Sequence, residues 1–137
     1  MSEFPLAGMR ILLMEDEALI AMDVEQLCRD CGAEEVVTVR SLGHLASGVP
    51  NPSQFHAAIV DIMLGGNPTT EFAHTLVQQN VPFIFATGYT DRERLFSEFP
   101  QVPVVGKPYL GSELIDAIVK VTQSATLVSG VASGGGV

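Results

Sequence analysis

The stretch ILLMEDEALI, residues 11–20, runs four apolar residues into three adjacent carboxylates, Glu15, Asp16 and Glu17. Apolar residues in unbroken succession suit a strand covered on both faces, as in a parallel sheet; a strand with one wet face would alternate. Its ending is costly. Neighbouring carboxylates repel one another, and burying one without a partner costs on the order of several kcal/mol or moves its pKa. Such an ending points to a cluster that binds something.

Working outward, five apolar runs recur: MRILLM (9–14), EVVTV (35–39), AAIVDI (57–62), PFIFAT (82–87) and VPVV (102–105). Segments with helical spacing lie between them. In the first, Leu19, Ile20, Val24, Leu27, Cys28 and Cys31 share one face and Gly32 supplies the stop. Ser41 caps a short second helix reaching Ser47 and Gly48. Asn67 followed by Pro68 reads as a cap with proline at the first helical position, opening a helix to Gln79. Thr90 and Glu93 form a capping box for a fourth, and the fifth starts near Ser112 with Leu114, Ile115, Ile118 and Val119 at core spacing. Five strands alternating with five helices predict an α/β domain: a parallel sheet with helices on both faces. The expected divisions are an N-terminal segment 1–8, the domain 9–124 and a flexible Gly/Ser-rich tail 125–137.

A chain of 137 residues is one domain by length, and its net charge of −9 with only seven Lys and Arg offers nothing to a phosphate backbone. Nucleic acid and anionic membranes are therefore not expected partners. No apolar run approaches a membrane span and MSEFPLAGMR is no signal peptide, so a cytoplasmic location is expected. Cys28 and Cys31 form a CxxC without a second pair, and at a helix C-terminus the dipole raises thiol pKa, so both read as structural. His44, His56 and His74 share no ligand spacing and read as ordinary surface residues. Phe72, Phe96 and Phe99 read as packing, with Phe96 and Phe99 also suited to a partner-binding face.

In an open parallel sheet, ligands bind beyond the carboxyl ends of the strands, where strand order reverses. Those ends carry Glu15 and Asp16, then Asp61, Thr87 and Lys107 in turn. Clustered carboxylates with few cations nearby suit a hard divalent metal such as Mg2+, with Mn2+ able to stand in its place. A carboxylate beside such a metal can act as a nucleophile toward phosphorus, with Thr87 and Lys107 holding the phosphoryl oxygens.

With MEDE after the first strand, IVDIML around Asp61, FATGY with Thr87 and VGKPY with Lys107, the chain resembles a receiver domain of a two-component response regulator from about Met9 to Ser124. Each piece is weak alone; all four in order at strand ends are specific. The resemblance implies a flavodoxin-like (βα)5 sandwich of strand order 2-1-3-4-5. It implies Asp61 as phosphoacceptor, Asp16 as a direct Mg2+ ligand, Glu15 as a ligand directly or through water, and the main-chain carbonyl of Met63 as a further ligand. Thr87 would follow the phosphoryl group, Lys107 would pair with it, and the Lys107–Pro108 bond would be cis. Gly88 would leave access to Asp61 open, and Glu17 only begins the first helix.

Two departures stand out. Val104 replaces the aromatic residue that many receivers carry three positions before the lysine. Gly65 replaces the common proline of the loop after the phosphoacceptor, which predicts a more mobile loop. The string PFIFATGYT resembles a subfamily of single-domain receivers named for its Phe-Ala-Thr-Gly-Tyr signature, in which Tyr89 would move with Thr87 as a switch. That likeness implies a sensor histidine kinase of the HWE class as donor, a phosphotransfer protein or downstream protein as target, and a monomer or weak phosphorylation-dependent dimer. Two other functions stay open at this stage. A Mg2+-dependent aspartyl-phosphate phosphatase or hydrolase would need a general acid–base where this chain has Met63, and a constitutive adaptor would not need the phosphorylation residues. The expectation is a binding module and not an enzyme.

Overall fold

The computed structural model describes residues 4–46, 51–88, 97–107 and 111–135. Its strands are β1 (Arg10–Met14), β2 (Glu35–Val39), β3 (Ala57–Asp61), the short β4 (Met63–Leu64) and β5 (Asn67–Pro68), β6 (Phe83–Thr87) and β7 (Val104–Gly106). Its helices are α1 (Ala18–Asp30), α2 (Leu42–Ala46), α3 (Thr70–Gln78) and α4 (Gly111–Gly135). The expected helix opened by Thr90 and Glu93 lies outside the described residues, as does Phe96.

The five long apolar runs form one sheet, order β2-β1-β3-β6-β7, with every pairing parallel. This is the flavodoxin-like order expected. Successive residues of each strand go to opposite faces, which is why the runs do not alternate in polarity. Ile11, Leu13, Ile59, Ile84 and Val105 pack with Val24 and Cys28 of α1 and Leu114 and Ile118 of α4. Leu12, Met14, Val60, Phe83 and Phe85 pack with Ala73 and Leu76 of α3 and with Phe99. Phe83, Phe85 and Phe99 meet edge to face, an arrangement worth about 0.5–1.5 kcal/mol per pair beyond burial.

Both long α/β turns close in the same way. After α1, Gly32 N–H donates to Arg29 O and Ala33 N–H to Cys28 O; after α3, Asn80 and Val81 N–H donate to Val77 and Leu76 O. Each is a Schellman end whose turning residue, Gly32 or Asn80, has positive φ.

The structure departs from expectation in four places. Leu19, assigned to the buried face of α1, is 77% exposed, whereas Ala21, Val24 and Cys28 are buried. At about 100° per residue, Leu19 lies across the helix from Ala21. Asn67 and Pro68 do not open α3 but pair with Leu64 and Met63 in an antiparallel hairpin, and Thr69 becomes the N-cap residue. Leu6, placed outside the domain, is fully buried in the core. The last helix runs to Gly135, past Ser124 where a flexible tail was expected; no proline interrupts 125–135, so a nucleated helix can propagate. Cys28 and Cys31 are free, and burial pushes the Cys28 thiol up to about 12, as befits a packing residue. Among the described residues, no helix is long and apolar enough to cross a membrane.

Candidate functional site

β1 and β3 are neighbours in space, yet the chain leaves β1 toward β2 on one side and leaves β3 toward β6 on the other. Strand order therefore reverses between them, and side chains just past their carboxyl ends face a common crevice. Glu15 and Asp16 follow β1, Asp61 ends β3, Thr87 ends β6 opposite Gly106, and Lys107 follows β7. Glu15, Asp16 and Asp61 each offer an oxygen, all within 4.8 Å of one another. With the contact of Lys107 to Glu15, residues 92 positions apart in sequence are brought together.

Among the described residues, Lys107 is the cation of this cluster. Its Nζ lies 2.7 Å from Glu15 Oε1 and donates to Asp61 Oδ2 at 2.8 Å. Glu15 is completely buried. Its Oε2 accepts the Glu17 N–H at 3.1 Å, while Oε1 has the ammonium beside it but no aligned hydrogen bond. Burial pushes the Glu15 carboxyl above the usual carboxylate range, and the charge of Asp61 adds to this; Lys107 and the Glu17 N–H pull the other way. One lysine facing two nearly buried carboxylates, with a third close by, leaves net negative charge in a shielded place. A small divalent cation with a preference for oxygen fits that donor set.

Asp61 is fixed at both ends. Its Oδ1 accepts a long Met63 N–H contact at 3.4 Å, and its main-chain carbonyl accepts the Thr69 hydroxyl at 2.6 Å. Thr69 is itself fully buried, with Ile62 O as the second acceptor of its hydroxyl at 3.0 Å. Thr69→Val keeps the shape and removes the hydroxyl proton that Asp61 O and Ile62 O share, Ile62 O keeping the Thr69 N–H. It is expected to lower unfolding free energy by about 1–3 kcal/mol in urea denaturation.

Asp16 is held by two partners that the sequence reading did not assign to it. Gly65 N–H donates to its Oδ2 at 2.8 Å, and an Arg40 guanidinium N–H donates to its carbonyl at 3.1 Å. Gly65 and Gly66 have φ of 59° and 81°, the two positive values of a type I′ turn between β4 and β5. The loop expected to be mobile is thus a tight hairpin, anchored by the fully buried Leu64. The signal was legible: a Gly-Gly pair between short flanking runs marks a two-residue hairpin.

Glu17 stands at the N-cap of α1. His56 is exposed and accepts the Arg10 main-chain N–H, and His74 stacks on Phe99 beside Glu98. Val104 pairs with Phe85 in the sheet. Gly88 is exposed. Tyr89, Pro108 and the side chain of Thr87 lie outside the described residues, so the switch pair and the Lys107–Pro108 bond do too.

No protein-family model and no curated protein matches this sequence. Solved structures do match. A response regulator receiver protein from Sinorhizobium medicae WSM419 is 24% identical, with 86% of this chain and 97% of that one covered and a TM-score of 0.71. A CheY-like response regulator receiver domain protein from Methanospirillum hungatei JF-1 is 25% identical, with coverage of 88% and 98% and a TM-score of 0.73. The non-phosphorylated HemR receiver domain from Leptospira biflexa is 25% identical, with coverage of 84% and 94% and a TM-score of 0.66. Solved structures that share this fold include response regulator receiver domains.

Proposed function

We propose that this chain is a phosphoacceptor receiver of two-component signalling, taking a phosphoryl group from a phosphohistidine onto Asp61. One observation carries the reading: Glu15, Asp16, Asp61 and Lys107 meet at the switch point of the sheet. In the transfer, the phosphorus–nitrogen bond breaks, its electron pair stays on the imidazole, and a phosphorus–oxygen bond forms to the Asp61 carboxylate. Mg2+, or Mn2+ in its place, would be held by Asp16, Asp61, the Met63 carbonyl and Glu15. When bound, it offsets the like charges of carboxylate and phosphoryl group. Lys107, already 2.8 Å from Asp61 Oδ2, is placed to stabilise the added oxygens. Thr87 supplies a hydroxyl to them in this reading, and Thr87 and Tyr89 move together as the switch. Thr69 holds the Asp61 main-chain carbonyl, and the Met63 N–H makes a long contact to the Asp61 carboxylate.

The PFIFATGYT string supports assignment to the Phe-Ala-Thr-Gly-Tyr subfamily of single-domain receivers. That assignment makes an HWE-class sensor kinase the donor in the cytoplasm, and a phosphotransfer protein or downstream protein the recipient. The domain would act as a monomer or as a weak dimer formed on phosphorylation. Met63, two positions after Asp61, carries no proton to transfer, so the chain promotes only its own phosphorylation and dephosphorylation. Incubation with acetyl phosphate and Mg2+ is expected to add one phosphoryl group by intact mass and to shift amide resonances around Asp61. Repeated turnover of small phosphoesters would instead establish a hydrolase, and an absence of any response an adaptor.

A further inference from the structure

The β4–β5 hairpin stands where a plain loop was expected, and its tip reaches the cluster. Three observations bear on what it does. Gly65 N–H donates to Asp16 Oδ2 at 2.8 Å, across 49 residues of sequence. The turn that aims this N–H needs positive φ at both Gly65 and Gly66. The hairpin is rooted on both sides, through fully buried Leu64 and through Thr69, whose N–H and hydroxyl both reach Ile62 O.

Asp16 is only half-buried and has no side-chain cation on its carboxylate among the described residues. Without the Gly65 N–H its carboxylate could rotate about χ1 and χ2 toward solvent, away from Glu15 and Asp61. One oxygen engaged by the backbone fixes the plane of the group and leaves the other oxygen free for a cation. Groups that orient a ligand in this way typically change metal affinity about 10–100-fold when removed.

We propose that the Gly65–Gly66 turn is a positioning device for Asp16, presetting its carboxylate toward a divalent cation through the Gly65 main-chain N–H. This rests on the reading of Asp16 as a cation ligand. The residues are positioning residues, since they act through Asp16. The arrangement also accounts for Gly65 where many receivers have proline: proline would lack the N–H and could not take positive φ.

The turn can be perturbed without disturbing the core, because a Cβ added at Gly65 or Gly66 meets no atom within 4 Å. The cost of Gly65→Val is therefore confined to backbone conformation, where a β-branched residue at positive φ is strongly disfavoured. Gly65→Asn keeps the N–H and forms Asn-Gly, the pair most favoured in type I′ turns. The probe is Mg2+ alone, titrated into 15N-labelled full chain without a phosphoryl donor. Gly65→Asn is expected to bind within about twofold of the unaltered chain, and Gly65→Val about 10–100-fold more weakly. In metal-free protein, the Gly65 amide proton is expected to move upfield in Asp16→Ala, as it loses its acceptor.

Equal Mg2+ affinity in folded Gly65→Val and the unaltered chain would overturn the positioning role while leaving the cation site standing. Failure of the unaltered chain to bind Mg2+ near Asp16 would overturn both. Should Gly65→Val lose its fold, Gly66→Ala imposes a milder strain on the same turn and is read by the same criteria.

Discussion

Asp61→Asn is expected to bring phosphoryl incorporation from acetyl phosphate down to background while making the protein more resistant to urea. The first effect is chemical, because an amide oxygen does not displace an imidazole or acetate from phosphorus at a useful rate. The second follows from the electrostatics of the crevice. Asp61 and the fully buried Glu15 share Lys107, and Asp61 helps to push the Glu15 carboxyl above its usual range. At neutral pH one lysine cannot satisfy both. Neutralising Asp61 removes the like-charge repulsion and leaves Lys107 to pair with Glu15, and substitutions that relieve a strained functional site commonly gain about 0.5–2 kcal/mol. Retained phosphorylation in Asp61→Asn would move the acceptor elsewhere. A clear loss of stability would mean that the Lys107–Asp61 pair contributes more than the repulsion costs.

The same residues show how far the sequence reaches. The central strands β1, β3 and β6 were legible because they are buried on both faces and so read as unbroken apolar runs, the half-exposed β2 and β7 followed from their place between helices, and the strand order came with the resemblance. The convergence of Glu15, Asp16, Asp61 and Lys107 followed from topology alone, since every one stands at the carboxyl end of a parallel strand. Main-chain donors were harder to foresee. Gly65 N–H carries no residue identity, and its aim depends on a hairpin that competes with the proline-led helix start suggested by Asn67 and Pro68. Two pairs of strand residues and a Gly-Gly turn prevailed over that local helix signal. Leu19 differs for another reason: two residues before the buried Ala21, it is rotated about 200° from it and so lies across the helix.

Leu6 was missed because a lone apolar residue in a segment with proline and glycine has no period to reveal it, and its burial carries the second large expected effect. Leu6 N–H donates to Cys31 O at 2.8 Å, at the Schellman end of α1, and the side chain is fully buried against the α1 and α4 face of the core. Leu6→Ala is expected to lose about 2–5 kcal/mol in urea denaturation. Gly32→Val attacks the same contact from the other side. Gly32 has a φ of +97°, and an added Cβ would lie 2.7 Å from Phe4 Cβ and 3.2 Å from Ala7 Cα. Backbone strain of about 1–3 kcal/mol therefore adds to displacement of the segment that carries Leu6. Because the two substitutions disable one contact, the double variant should lose clearly less than the sum of the single losses. Additive losses would mean that Gly32 acts only on the end of α1. A loss below about 1 kcal/mol for Leu6→Ala, far short of what a buried leucine contributes, would leave the N-terminal segment outside the cooperative unit. Neither substitution touches the crevice, so the folded fraction should accept phosphate on Asp61 as the unaltered chain does.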